Sequence, residues 1–210
     1  MIALAIKVLL AYLLGSVSGS MVMGRLRSVD IRTAGSGNAG GTNAFRTQGF
    51  RFALGVVVID IGKGALAAWG VPLLPLGADA VSPAVLAMAC GFAAVIGHCY
   101  PVWYGFRGGK GAATAVGALA VIQPLVLIPM FLVWVLTLVV TGWVGLATIL
   151  SGLSLLPAFA VFDQTRAHLV FAVLLALFIV FTHRENIVRL RNGTENRFER
   201  IRIVNWFGND

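Results

Sequence analysis

Five apolar runs dominate this chain, residues 2–24, 52–76, 83–97, 115–162 and 167–182, and several of them are too long to be ordinary core segments. A helix needs about 20 apolar residues to cross a bilayer. Inside the hydrocarbon its backbone groups must all be paired within the protein, which is what a helix does. The composition agrees. Of 210 residues, 59% are hydrophobic and only 11% are charged, whereas a soluble domain carries about a quarter charged residues. The chain is therefore expected to be an all-α, polytopic membrane helix bundle forming one domain over residues 1–210. The first run is too long, and too polar at its end, for a cleaved signal. Its Ser16-Val17-Ser18-Gly19-Ser20 segment suits a helix face packed on neighbours.

Charge orients the bundle. The loop at 25–51 holds Arg25, Arg27, Arg32, Arg46 and Arg51, and the loop at 98–114 holds Arg107 and Lys110. The tail holds Arg184, Arg189, Arg191, Arg197, Arg200 and Arg202, so these three segments carry thirteen of the sixteen Lys and Arg. The positive-inside rule puts all three in the cytoplasm. The turns 77–82 and 163–166 then lie outside. An even number of crossings must separate segments on one side, yet only three apolar pieces are obvious between the second loop and the tail. Gln123-Pro124 divides the first of them into a short helix at 112–123 and a longer one at 124–141. The expectation is about seven transmembrane helices, with the N-terminus outside and the C-terminus cytoplasmic. A re-entrant short helix is the competing arrangement. The net charge of +8 then faces lipid headgroups and no nucleic acid. Cys90 and Cys99 suit buried apolar positions.

Three polar segments carry the chemistry, all expected on the cytoplasmic face. "GSGNAGGTNAFR" at 35–46 reads as an anion-holding loop. Its glycines, including Gly35 and Gly37, let N–H groups converge. Ser36, Asn38, Thr42 and Asn43 add neutral donors, and Arg46 adds a planar cation suited to phosphate. A helix beginning near Thr42 would add its N-terminus. The second loop surrounds Lys110 with Gly105, Gly108, Gly109 and Gly111, again a phosphate solution. Trp103, Tyr104 and Phe106 suit interfacial anchors. His98, before Pro101, is open between a catalytic and a capping role. In the third segment, His183 and Asn186 are three apart and share a helix face, with Arg184 and Glu185 directed elsewhere. Arg189 and Arg191 suit lipid headgroups. A fourth feature lies within a span. Asp60 and Lys63 form either an i, i+3 ion pair or a substrate contact, because intramembrane charge is expensive and marks function or a buried pair.

"GSGNAGGTNAFR", "GHCYPVWYGFRGGKGAAT" and "HRENIVRLRNGTEN", with "DIGKG" at 60–64, resemble the signature segments of the bacterial acyl-phosphate:glycerol-3-phosphate acyltransferases. The resemblance runs from the first span to about residue 197. Arg107 stands where Lys is common. The resemblance implies transfer of a fatty acyl group from acyl-phosphate to glycerol 3-phosphate. The products would be 1-acylglycerol 3-phosphate (lysophosphatidic acid) and inorganic phosphate, in the first acylation of bacterial phospholipid synthesis at the cytoplasmic (inner) membrane. Phosphate is a good leaving group, so positioning and charge stabilisation carry the reaction. The His-x-x-x-x-Asp dyad of soluble-type glycerolipid acyltransferases is absent: Trp103, Val173 and Val188 follow the three histidines at that spacing.

On this reading Ser36, Arg46, Lys110, His183 and Asn186 are the expected catalytic residues. Gly35, Gly37, Asn38, Thr42, Asn43, Gly108 and Gly109 are expected to bind substrate. His183 and Asn186 would orient glycerol 3-phosphate, with the proton passing to His183 or to the donor's own phosphate. An acyl-Ser36 intermediate lacks a visible base. No metal or other cofactor is expected, since a metal-dependent phosphotransferase wants several aspartates on one helix. The alternative is an organic-phosphate anion transporter, which would show paired halves with broken helices.

Overall fold

The structure is a computed structural model that describes residues 1–163, 165–199 and 202–203. Arg200, counted above in the basic tail, lies outside the described residues, as does most of the segment after it. The described chain is helical and falls into two compact units, Met1–Pro124 and Leu125–Asp210.

The first unit contains α1 (Ile2–Gly15), α2 (Gly19–Arg27), α3 (Gly41–Gln48), α4 (Phe50–Trp69), α5 (Pro83–Cys99) and α6 (Ala112–Ile122). The first apolar run is thus broken at Ser16–Ser18 into α1 and α2, although Ile2–Arg27 is apolar and long enough to serve as one span. Small residues explain the packing. The Gly15 Cα lies on the Ala94 carbonyl and the Gly97 Cα on the Tyr12 carbonyl, so α1 and α5 notch into each other. Gly64 against the Thr114 carbonyl and Gly117 against the Ile61 carbonyl do the same for α4 and α6. A Cβ at any of the four would overlap backbone, which is the small-residue logic of helix contacts in lipid.

The second unit contains α7 (Leu127–Thr141), α8 (Val144–Leu153), α9 (Leu155–Phe162), α10 (Arg166–Thr182) and α11 (Arg184–Arg191). Gly142, at φ 76°, turns α7 into α8. The Ser151 hydroxyl donates to the Met130 carbonyl at 2.9 Å and ties α8 to α7. The tail returns over this corner: Phe198 N–H donates to the Gly142 carbonyl at 2.9 Å, and the Arg197 guanidinium lies 4.4 Å over the Trp143 ring. An arginine expected to face the cytoplasm is therefore held on the protein.

Among the described residues five helical stretches are apolar and long enough to span a membrane: Ile2–Arg27, Phe50–Trp69, Pro83–Tyr104, Pro124–Thr141 and Val144–Phe162. Arg166–Thr182 with Arg184–Arg191 makes a sixth if that pair, bent by 53°, is one span. The short helix expected before Pro124 exists as α6. Its 11 residues reach only about 16 Å. The distribution of side chains is that of a membrane protein. Phe131, Leu132, Leu136 and Val140 stand exposed along α7, while Lys7, Ser18, Asp60, Lys63 and His98 are buried. Cys90 and Cys99 are free and buried.

Candidate active site

The first loop is built around one side chain. Asn43, in the first turn of α3, is 1% exposed. Its Oδ1 accepts the Ser36 N–H at 2.9 Å, and its Nδ2 donates to the carbonyls of Ile31 at 2.9 Å and Ala34 at 3.0 Å. Gly35 (φ 61°) and Gly37 (φ 70°) hold the left-handed geometry that folds the turn. A Cβ on Gly35 would strike Asn43 Oδ1. Asn43 was expected as a substrate donor, but both of its N–H groups are engaged by carbonyls. It braces the loop. Ser36 is exposed, and Asn38, Thr42 and Arg46 are half-buried. The helix expected near Thr42 begins at Gly41, so the N–H groups of its first turn have no partner within the helix.

The second loop lies beside the first. One Arg32 Nη1 donates to the Tyr104 carbonyl at 3.3 Å and to the Arg107 carbonyl at 3.4 Å. Arg32 is itself gripped by Asp30, Nη2 to Oδ2 at 2.7 Å. Its hydrogen bonds hold the Asp30 carboxyl below the usual carboxylate range and raise the guanidinium in turn. Gly108 and Gly109 were expected to offer N–H groups to a phosphate. Instead Gly108 N–H donates to the Cys99 carbonyl at 3.2 Å and Gly109 N–H to the His98 carbonyl at 3.1 Å. Both glycines are needed because the end of α5 comes so close: a Cβ on Gly108 would strike the His98 carbonyl, and one on Gly109 the His98 ring. Lys110 follows, half-buried, and Gly111 (φ 88°) starts α6.

Beneath this loop the Asp60–Lys63 pair is real and gains a third member. Lys63 Nζ lies 2.9 Å from Asp60 Oδ1, 2.7 Å from the Val17 carbonyl and 2.8 Å from His98 Nδ1. Asp60 Oδ1 also accepts the Gly19 N–H at 3.1 Å. The pair thus closes the break in the first span. The carboxylate meets the N-terminus of α2 and the ammonium a carbonyl just past the end of α1, each charge at the helix end it favours. Backbone groups freed inside a membrane need such partners. The link to His98 was not visible in the sequence, because no spacing connects residues 60 and 98.

In the second unit, His183 stands between α10 and α11 and Asn186 in the first turn of α11, both buried. His183 Nδ1 lies 2.8 Å from the Ile179 carbonyl. A carbonyl only accepts, so Nδ1 carries a proton, and in the neutral form of the ring the lone pair is on Nε2. Asn186 Nδ2 donates to Glu195 Oε1 at 2.7 Å, and Arg189 Nε donates to Glu195 Oε2 at 2.7 Å. Glu195, with its side chain 4% exposed, was missed by the sequence reading, and Arg189 was assigned to lipid. The signal was the Asn192-Gly193-Thr194 turn: Gly193 at φ 69° folds the chain back so that Thr194 N–H meets the Arg189 carbonyl at 2.9 Å.

Apolar helices of spanning length, joined by polar glycine-rich segments, define the class first: an integral membrane protein. A family profile described as glycerol-3-phosphate acyltransferase matches residues 5–193. The chain belongs to the glycerol-3-phosphate acyltransferase family. It is 38% identical to the glycerol-3-phosphate acyltransferase of Chlorobaculum tepidum, over 90% of this chain and 94% of that one. It is 37% identical to glycerol-3-phosphate acyltransferase 2 of Bacillus anthracis, over 91% and 97%. Among solved structures it resembles PlsY (YgiH), an integral membrane glycerol 3-phosphate acyltransferase. The glycerol 3-phosphate form matches with a TM-score of 0.82 at 33% identity, covering 98% of this chain and 99% of that one. The lysophosphatidic acid form matches with a TM-score of 0.82 at 35% identity, covering 96% and 98%.

Proposed function

We propose that this protein transfers a fatty acyl group from acyl-phosphate to a hydroxyl of glycerol 3-phosphate, releasing lysophosphatidic acid and inorganic phosphate. The acceptor and product are supported by the two similar PlsY structures, one a glycerol 3-phosphate form and the other a lysophosphatidic acid form. The donor is the one that the resemblance of the three segments implies, and a mixed anhydride, already activated, suits a site that offers cations and fixed donors rather than a covalent nucleophile. The observation that carries the reading is the Gly35–Gly37 turn, locked by Asn43 immediately before the N-terminus of α3. It is preorganised for an anion.

Within this reading Ser36, Asn38, Thr42, Arg46 and Lys110 hold phosphate oxygens and steady the charge that develops on them. Gly35 and Gly37 shape the turn. Asn43, Gly108 and Gly109 act by fixing loop geometry. His183 takes the proton of the attacking hydroxyl on Nε2, the nitrogen left with a lone pair by the Ile179 contact. Asn186, oriented by Glu195, aligns glycerol 3-phosphate. No metal or other cofactor takes part. Residues 1–210 serve as one acyltransferase domain in the bacterial inner membrane. About seven crossings, α6 being a short one, place the N-terminus outside and the three polar segments in the cytoplasm, where a soluble acceptor meets a membrane-borne donor.

The test is phosphate release by purified, detergent-solubilised protein given palmitoyl-phosphate with and without glycerol 3-phosphate, and palmitoyl-CoA in parallel. Release that requires the acceptor and yields lysophosphatidic acid is expected. Release without the acceptor would point to an acyl-enzyme or a hydrolase. Turnover with the CoA donor alone would overturn the proposed donor. No turnover by folded protein would move the reading to transport of an organic phosphate.

A further inference from the structure

We infer that His98 is a further substrate-binding residue, whose Nε2–H donates to a phosphate oxygen of the substrate held at Gly109–Lys110, with Lys63 as the residue that points it. The inference rests on the reading of the second loop as a phosphate loop.

It starts from Lys63. An ammonium has three N–H donors. Those of Lys63 meet three acceptors: the Val17 carbonyl at 2.7 Å, Asp60 Oδ1 at 2.9 Å and His98 Nδ1 at 2.8 Å. His98 Nδ1 also lies 3.4 Å from Asp60 Oδ1. A proton on Nδ1 could serve that longer contact only by facing the ammonium at 2.8 Å. The arrangement that satisfies the three Lys63 donors and Nδ1 puts the lone pair on Nδ1 and the proton on Nε2, while Asp60 Oδ2 has no partner among the described residues. The tautomer of His98 is thus set by its neighbour, as is usual for a histidine whose other nitrogen does the work.

That proton then points at the second loop. Nε2 stands where a Gly109 side chain would begin, and the Gly109 N–H is tied to the His98 carbonyl at 3.1 Å. The ring and the Gly109–Lys110 peptide are therefore fixed to each other. Among the described residues Nε2 has no acceptor, while every other polar contact of the Lys63 ammonium and of Nδ1 is satisfied. An N–H donor left without an acceptor beside a cation on a phosphate loop matches what a phosphate oxygen seeks. The missing side chains of Gly108 and Gly109 have the same explanation: they admit the His98 carbonyl and ring to the loop.

Two substitutions separate the two nitrogens. His98→Asn places an acceptor near the Nδ1 position, which keeps Lys63 satisfied, and removes the Nε2–H. His98→Gln reaches further and can restore a donor near the Nε2 position. KM and kcat are measured for palmitoyl-phosphate and glycerol 3-phosphate, with thermal stability in detergent alongside. The Asn variant is expected to raise KM for one of the two substrates about tenfold, the scale of one lost charge-assisted hydrogen bond, with kcat within about threefold of wild type. The Gln variant is expected to recover most of that KM. Unchanged KM for both substrates in the Asn variant, a fall in thermal stability or kcat alone, or an equal KM in the Asn and Gln variants would overturn the assignment. Wild-type protein without turnover would overturn the functional reading instead. Inorganic phosphate binding then decides this inference, a tenfold weaker Kd in the Asn variant supporting it and an unchanged Kd overturning it.

Discussion

His98 and His183 sit in different units, both nearly out of solvent, and they hold their protons on opposite nitrogens. Lys63 donates to Nδ1 of His98 at 2.8 Å. His183 Nδ1 donates to the Ile179 carbonyl at 2.8 Å. On the tautomer inferred for His98, the first ring has an N–H on Nε2, and the neutral form of the second has its lone pair there. One can steady an anion and the other can take a proton. The same residue type does either job according to what its hidden nitrogen touches. A third histidine marks the range: His168 Nδ1 lies 3.0 Å from Asp163 Oδ2, a pairing made in the turn before α10.

The largest effect should come from the cation that His98 adjoins. Lys110→Ala is expected to lower kcat/KM by about a thousandfold or more, as losing a fixed charge on developing phosphate charge does. Gel filtration and thermal melting should show an intact membrane protein. Near-wild-type turnover would remove Lys110 from the site. His183→Gln should lower kcat by about a hundredfold or more, the usual share of a general base. If KM moved instead of kcat, the contrast between the two histidines would break, because both would then be binding residues. Asn43→Ala should cost about 1–3 kcal/mol of stability, since it strands the buried Ile31 carbonyl and removes two part-buried hydrogen bonds. It should also raise KM, and thermal denaturation beside steady-state kinetics reads both.

The smallest effect belongs to the half-buried Asp30–Arg32 pair beside the loops. Asp30→Asn should change stability by under about 1 kcal/mol at neutral pH, as surface pairs do. The sign follows from the lowered Asp30 carboxyl. The pair's contribution is present above the ordinary carboxylate value of 3.8 and is lost as pH falls through the lower folded value. A destabilisation that persists at pH 2 would show that Asp30 acts through something other than its charge.

The helices were legible because lipid imposes a length and a hydropathy on each of them. Even α6, which no run of 20 residues announces, followed from counting charges on either side and from Pro124. The break at Ser16–Ser18 was not foreseen, since Leu, Ser and Gly there read as one continuous apolar helix. What reveals it is the pair of charges in another helix that closes it. The loops were legible as composition and only partly as geometry. Gly108 and Gly109 look like glycines made for a phosphate. In space they are glycines made for the end of α5, with their N–H groups bound to the carbonyls of Cys99 and His98. Asn43 reads as a polar donor in a polar loop, yet it is the loop's internal brace. Glu195 was passed over because acidic residues in a basic tail look solvated, and only the turn at Gly193 brings it onto Asn186 and Arg189. Such errors have one cause. A sequence shows which groups could bind a ligand, and packing decides which of them are already engaged.

The division of labour between the two histidines can be read directly by ¹⁵N NMR of histidine-labelled protein in detergent, with signals assigned by substituting one histidine at a time. The account predicts that His98 carries its proton on Nε2 and His183 on Nδ1 at neutral pH. Both rings protonated on the same nitrogen would contradict it.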